Sequence, residues 1–181
     1  MRTLFWQTIV SVDGYMEGPG GALDWFAGGP DFEAYVGQML HSIGAILMGR
    51  RTYEGFADYW PTSTDPDAAA MNGLPKVVFS RTLDRLAWQN ARLATQSAAD
   101  EVRALKAEGR APLALFASAD LAEALLKEGL IDEIRVLVMP VVLGGGKPMF
   151  KDAGRSKLQL LDAQRMDAGT VALTYSVMRD G

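Results

Sequence analysis

The chain has 181 residues, 49% of them hydrophobic, no cysteine, a single histidine and a formal net charge of −4. That length fills one core and is short for two, so a single domain over 1–181 is expected, and the apolar content is too high for disorder. A disulfide framework and thiol catalysis are excluded, a structural zinc site lacks its Cys and His ligands, and the acidic balance opposes a broad nucleic-acid surface. No apolar run nears the ~20 residues that span a bilayer, and the N-terminus carries no secretory pattern, so a cytoplasmic protein with no membrane partner is expected.

Residues 3–12 are β-rich and almost continuously apolar, which predicts a buried strand. Asp13-Gly14 and the run Gly18 to Gly21 predict a glycine-rich loop. From Pro30, the residues Phe32, Tyr35, Val36, Met39, Leu40 and Ile43 recur with helical spacing, and Pro30 or Asp31 is placed to start that helix. A strand over 45–48 leads into a helix from Arg50 to Phe56. The Pro/Thr/Asp-rich stretch Pro61 to Pro66 is a connection, followed by strands over 77–80 and 91–94.

A helix over 98–108 stops at Gly109, and a strand covers 113–116. Ser118 or Asp120 can cap a helix over 120–128, whose Leu121, Ala122, Ala124 and Leu125 are expected to face the core. Strands follow over 133–142, 158–164 and 170–179, the last with half-exposed alternation at Val171, Leu173, Tyr175 and Val177. The sum is an α/β fold: about eight strands in a central, mostly parallel sheet, a C-terminal antiparallel hairpin and about four flanking helices.

In such sheets ligands bind beyond the carboxyl ends of the strands. The stretch Ala45 to Glu54 (AILMGRRTYE) runs from an apolar strand through Gly49 into Arg50, Arg51 and Thr52 at a helix start. Unpaired backbone N–H groups and fixed positive charge at one point suit an anionic ligand; the plainer alternative is an ordinary turn with solvated arginines. Two more strand ends, Phe79-Ser80-Arg81 and Phe116 to Ala119, are expected at the same edge. The three guanidinium groups suit phosphate esters, and Ser80-Arg81 favours NADPH over NADH. No Gly-x-Gly-x-x-Gly or Gly-x-x-x-x-Gly-Lys-Ser/Thr pattern is present, and Gly144 to Gly146 is expected to be a bend rather than a phosphate cradle. His41, late in a helix and with no nucleophile elbow in the chain, carries no triad chemistry.

Taken in order, Ser11 to Tyr15 (SVDGY), Leu23 to Trp25 (LDW), Met48 to Glu54 (MGRRTYE), Gly129 to Glu133 (GLIDE) and Pro140 to Phe150 (PVVLGGGKPMF) resemble the dihydrofolate reductase fold. They are most similar to the reductase domain of bifunctional riboflavin biosynthesis proteins, the RibD C-terminal domain. The resemblance covers nearly the whole chain and lacks the preceding deaminase, as a stand-alone member would. It implies NADPH as cofactor, with Gly49, Arg50, Arg51 and Thr52 at its phosphates and Ser80 and Arg81 at the adenosine ribose and its extra phosphate. The turn Phe116, Ala117, Ser118, Ala119, Asp120 and Leu121 is placed at the pyrophosphate, the loop from Gly14 to Gly18 over the nicotinamide, and Trp25 near the substrate.

Ala117-Ser118 departs from the family's Gly-Gly or Gly-Ser pair, which takes a cis peptide bond in dihydrofolate reductases, and adds a β-carbon where the cofactor approaches. Hydride transfer to a C=N bond needs a proton at the nitrogen. The resemblance leaves Asp31 and Glu33 as alternative carboxylates for it, with Asp13 a further polar group at the substrate; Asp31 alternatively only stabilises its helix end. The implied activity is NADPH-dependent reduction of a small heterocyclic or sugar-linked imine, as in 5-amino-6-(5-phosphoribosylamino)uracil reduction. The alternatives are a dihydrofolate or pteridine reductase, and a ligand-binding protein without turnover. A homodimer through the apolar stretch Val136 to Val142 is expected.

Overall fold

The computed structural model describes residues 1–26 and 28–178. Arg179, the last residue of the strand expected over 170–179, lies outside the described residues. In chain order the strands are β1 Leu4–Ser11, β2 Tyr15–Glu17, β3 Ala45–Gly49, β4 Lys76–Phe79, β5 Ala91–Leu93, β6 Leu113–Phe116, β7 Glu133–Met139, β8 Lys147–Pro148, β9 Leu158–Arg165 and β10 Val171–Val177. The helices are α1 Pro30–Ser42, α2 Arg50–Tyr59, α3 Ala68–Gly73, α4 Ala98–Ala107 and α5 Ala119–Lys127. None of them is long and apolar enough to cross a membrane.

All eight strands expected from the sequence enter one sheet, in the order β5-β4-β3-β6-β1-β7-β10-β9. The pairs from β5 to β7 are parallel, and β10 runs antiparallel to both β7 and β9. Strands β2 and β8 form a separate small sheet, β2 inside the stretch read as a glycine-rich loop and β8 just after the glycine run. There are five α-helices among the described residues rather than about four: α3 follows the Pro61 to Pro66 connection, which itself holds a 3₁₀ turn at Trp60–Thr62.

One face of the sheet packs Leu4, Trp6, Leu47, Leu113, Leu115 and Val136 against α4 and α5. The other packs Phe5, Ile46, Met48, Val78 and Phe116 against α1, α2 and α3. Alternation along β1 explains the split, since Leu4 and Trp6 face one way and Phe5 the other. The predicted apolar stripe of α1 is real and serves two clusters. Val36, Met39, Leu40 and Ile43 join the α2–α3 side, whereas Phe32 and Tyr35 cover Leu137 and Met139.

Helix α5 begins at Ala119, one residue earlier than expected; Ala122, Glu123, Leu125 and Leu126 are buried, whereas Leu121 is half-buried and Ala124 exposed. Strand β7 stops at Met139 rather than at residue 142, because Pro140 has no N–H to continue the ladder. In β10, Val171, Leu173, Tyr175 and Val177 are all half-buried and only Ala172 is buried, so the expected alternation is blurred.

Candidate functional site

The parallel neighbours β3 and β6 define the site. Helix α2 leaves β3 toward one face of the sheet, and α5 leaves the adjacent β6 toward the other. Two helices departing to opposite faces open a crevice at the carboxyl ends of their strands, the position where α/β sheets bind ligands. Register places β4 alongside, with Gly49 opposite Phe79, so the three strand ends singled out in the sequence do meet at one edge.

Ser118 joins the two sides of the crevice. Its Oγ accepts the Gly49 N–H at 2.9 Å and lies 2.9 Å from Thr52 Oγ1. Ser118 occupies the position before α5 but gives no side-chain cap to that helix; its hydroxyl serves the start of α2 instead. No cis peptide bond occurs among the described residues, and Ala117 and Ser118 both adopt left-handed conformations, with φ of 48° and 51°. Such conformations cost L-residues free energy and persist only when the surroundings fix them. Here the Ala117 N–H donates to Gln7 O at 3.0 Å, and its carbonyl accepts the indole N–H of fully buried Trp6 at 2.6 Å.

The remaining expected cofactor residues fan out from this point. Arg50 is exposed and pairs with Glu54 one turn along α2 at 3.0 Å. Arg51 reaches Glu17 on β2 at 3.2 Å. Ser80 Oγ accepts the N–H groups of Thr82 and Leu83, shaping its own turn, and Arg81 is exposed with no hydrogen bond or ion pair among the described residues. Phe116 and Ala119 are buried, and Leu121 is half-buried. Asp120 pairs with Lys151 at 3.2 Å and with Lys147 at 3.7 Å, and these cations hold its carboxyl below the usual carboxylate range despite the opposing desolvation.

Of these groups only Arg51 and Asp120 reach an open cleft of about 490 Å³, walled by Gly18, Gly20, Gly21 and Gly146 and edged also by Glu17, Lys147 and Lys151; Gly49, Arg50, Thr52, Ser80, Arg81, Phe116 to Ala119 and Leu121 do not line it. Glu17, Lys147 and Lys151 were not singled out from the sequence. The signal available was the spacing of two lysines four apart after the glycine run, but β8 brings them to the site only through its pairing with β2. The glycine run is a bend as expected, and it also lines the cleft. At Gly146 (φ 122°) a β-carbon would lie 2.0 Å from Glu17 O, so only glycine lets β8 approach β2.

The expected substrate-side residues lie at the same edge, nearer β1, β7 and β10. Asp13 accepts the N–H groups of Leu143 (3.1 Å) and Gly144 (2.8 Å), tying the first loop to the glycine run. A hydrogen bond from Ser11, together with those backbone donors, lowers its pKa to about 2. Trp25 is half-buried over Leu137 and Met139 with Phe32 and Tyr35; its indole N–H donates to Ala22 O at 3.0 Å, and its ring meets Phe26 edge-on at 4.6 Å. Asp31 and Glu33 are both exposed in the first turn of α1. Asp31 accepts the Asp167 N–H at 3.0 Å from the turn between β9 and β10, whereas Glu33 makes no side-chain contact of this kind among the described residues. Tyr35 OH donates to buried Gln7 Oε1 at 2.9 Å, and burial raises the phenol's pKa.

Among solved structures, the fold matches a putative riboflavin biosynthesis protein from Shewanella sp. PV-4 with a TM-score of 0.82, at 21% identity over 98% of this chain and 99% of that one. It matches dihydrofolate reductase from Enterococcus faecalis, solved with NADP(H), with a TM-score of 0.66 at 14% identity over 97% and 96% of the two chains. A deaminase/5-amino-6-(5-phosphoribosylamino)uracil reductase from Thermotoga maritima matches with a TM-score of 0.71 at 12% identity; 98% of this chain aligns with 57% of that one. The chain is thus a dihydrofolate reductase-like α/β protein. Within that class it belongs to the RibD C-terminal domain family, whose sequence profile matches residues 2–172. The uncharacterized protein YyaP of Bacillus subtilis is 32% identical over 180 residues, covering 96% of this chain and 94% of the relative.

Proposed function

We propose that the chain is an NADPH-dependent reductase of a small heterocyclic or sugar-linked imine, of the kind named for the Thermotoga maritima protein. The observation that carries this reading is the crevice between β3 and β6. The first turns of α2 and α5 bring Arg51 and Asp120 to the cleft lined by Glu17, Lys147, Lys151 and the glycines, and its three cations suit a pyrophosphate. In this reading Gly49, Arg50, Arg51, Thr52 and the turn from Phe116 to Leu121 hold the phosphates, and Ser80 and Arg81 take the ribose with its extra phosphate. NADPH, when bound, supplies the hydride; the chain supplies orientation, exclusion of water and one proton.

Trp25 and Phe26 wall the substrate side, and Asp13 holds the two loops that border it. Asp31 is the carboxylate assigned to organise the proton, because its contact with Asp167 fixes it at the sheet edge, whereas Glu33 has no such anchor. The second reading, a ligand-binding protein without turnover, rests on the Ala117-Ser118 departure, whose Ser118 hydroxyl takes the Gly49 N–H and must release it before Gly49 can meet a phosphate.

The test is thermal unfolding with saturating NADPH or NADH. Ligand at a hundred times its Kd adds about 2.7 kcal/mol, a rise of roughly 5–10 °C for a domain of this size. A larger shift with NADPH than with NADH is expected, and Arg81→Ala is expected to remove most of that difference. No shift with either nucleotide overturns the reading. A shift without NADPH consumption across a panel of phosphorylated pyrimidine and pteridine substrates selects the binding protein instead.

A further inference from the structure

The cations lining the cleft are already matched to its own carboxylates: Arg51 to Glu17, and Lys147 and Lys151 to Asp120. The first pair crosses the cleft, from the β2 loop to the second residue of α2. Glu17 is mostly covered, with its side chain 23% exposed, whereas Arg51 is 65% exposed. The carboxylate is therefore held while the guanidinium can move.

The backbone explains why Glu17 is held. Its carbonyl lies so near Gly146 that a β-carbon there would come within 2.0 Å, its Oε2 lies over Gly21, 3.7 Å from where a β-carbon would be, and the Met149 N–H donates to Gly14 O at 2.8 Å across the small sheet. A carboxylate fixed this way also faces the positive end of α2. It stands where a ligand's phosphate oxygen would find Arg51.

Resting on the reading of this cleft as the anion site, we propose that Glu17 is a specificity-determining residue that acts as a built-in competitor. Ligand entry exchanges the Glu17 carboxylate for a phosphate oxygen on Arg51. A monoanion gains little from this exchange, because Arg51 already has a carboxylate partner within the same chain. A pyrophosphate brings more charge and several acceptors, and reaches Lys147, Lys151 and the helix N–H groups together. Glu17 thus penalises most an anion that has only Arg51 to bind, and least a multiply charged phosphate that also engages Lys147 and Lys151.

The test is calorimetric titration of wild type, Glu17→Gln, Arg51→Ala and the double variant with inorganic pyrophosphate, acetate and NADPH, with thermal unfolding of each unliganded variant as a check of folding. Glu17→Gln preserves shape and removes the charge. It is expected to bind pyrophosphate about two- to fivefold more tightly, the range of one exposed ion pair, and to gain measurable acetate binding. In the Arg51→Ala background the same change is expected to alter nothing. Unchanged or weaker pyrophosphate binding by Glu17→Gln, or tightening that persists without Arg51, overturns the inference whatever NADPH does. If pyrophosphate follows the expected pattern but NADPH binds to none of the four proteins, the cofactor reading falls and the competitor role of Glu17 stands.

Discussion

Four non-glycine residues among those described take positive φ: Asn90, Ala117, Ser118 and Ala168. Asn90 is repaid locally, since its side-chain amide donates to Asn72 O and Gly73 O at the end of α3. Ala117 is clamped by Gln7 and Trp6, and Ser118 by Gly49 and Thr52. Ala168 lies exposed in the turn between β9 and β10, and its methyl is not part of any buried cluster. Replacing it with glycine removes the left-handed penalty and returns some entropy to the unfolded chain. Ala168→Gly is therefore expected to stabilise by about 0.5–1 kcal/mol, a rise in Tm of roughly 1–4 °C. Ser118→Gly relieves the same kind of strain but strips the Gly49 N–H of its acceptor and Thr52 of its partner, each contact worth about 1 kcal/mol. Its Tm is expected to stay at or below that of wild type. A rise equal to that of Ala168→Gly would mean that the Ser118 hydroxyl does not join the two helix starts.

Helix α3 illustrates which elements a sequence hides. Its six residues (AAAMNG) bury only Ala68 and Met71, too few to make a visible apolar period. It is held instead by contacts from outside: Lys76 Nζ donates to the carbonyls of Met71, Asn72 and Leu74 at 2.6–3.2 Å and sits 4.4 Å from the Trp88 ring. The same distinction holds at the cleft. That Gly49, Arg50, Arg51 and Ser80 share one sheet edge was legible because a parallel alternating fold brings strand ends together, although only Arg51 of the four lines the cleft. Glu17 and Lys147 depend on the pairing of two short strands far apart in sequence, which no local pattern encodes. Lys76 also carries a pH signature. Burial pushes its pKa from 10.5 down to about 8, so between those values the unfolded chain keeps a proton that the folded chain has released. The unfolded state then binds more protons, and stability rises with pH across that window. Wild type is expected to gain stability relative to Lys76→Met between pH 8 and pH 10 in urea unfolding; parallel pH curves for the two would show that Lys76 stays charged throughout.

The sheet's two edges are unlike. Strand β5 is three residues long, and Arg92 on it pairs at 2.5 Å with Glu101 of α4, a short and guarded edge. Strand β9 has eight residues, all exposed, with charge only at Asp162 and Arg165 in its second half. It presents Leu158, Leu160 and Leu161 at 41%, 53% and 52% exposure, with Leu161 as the extra residue of a bulge opposite Thr174 and Tyr175. The homodimer expected through Val136 to Val142 meets an obstacle, since β7 is paired on both sides and Val136, Leu137 and Met139 are buried by their own chain. A long apolar edge is instead a surface that folded chains pair, cover or guard with charge. The expected homodimer is therefore tested at β9, the edge left open, with the copy related by a twofold axis as in most homodimers. Light scattering after size exclusion is expected to give twice the chain mass of 19.6 kDa for wild type and the single-chain mass for Leu160→Glu. Circular dichroism should confirm that the variant keeps its fold, since an exposed leucine is not needed for the core. A wild-type protein that elutes at the single-chain mass at micromolar concentration would remove the dimer, and the exposed β9 leucines would then be a predicted site of aggregation on heating.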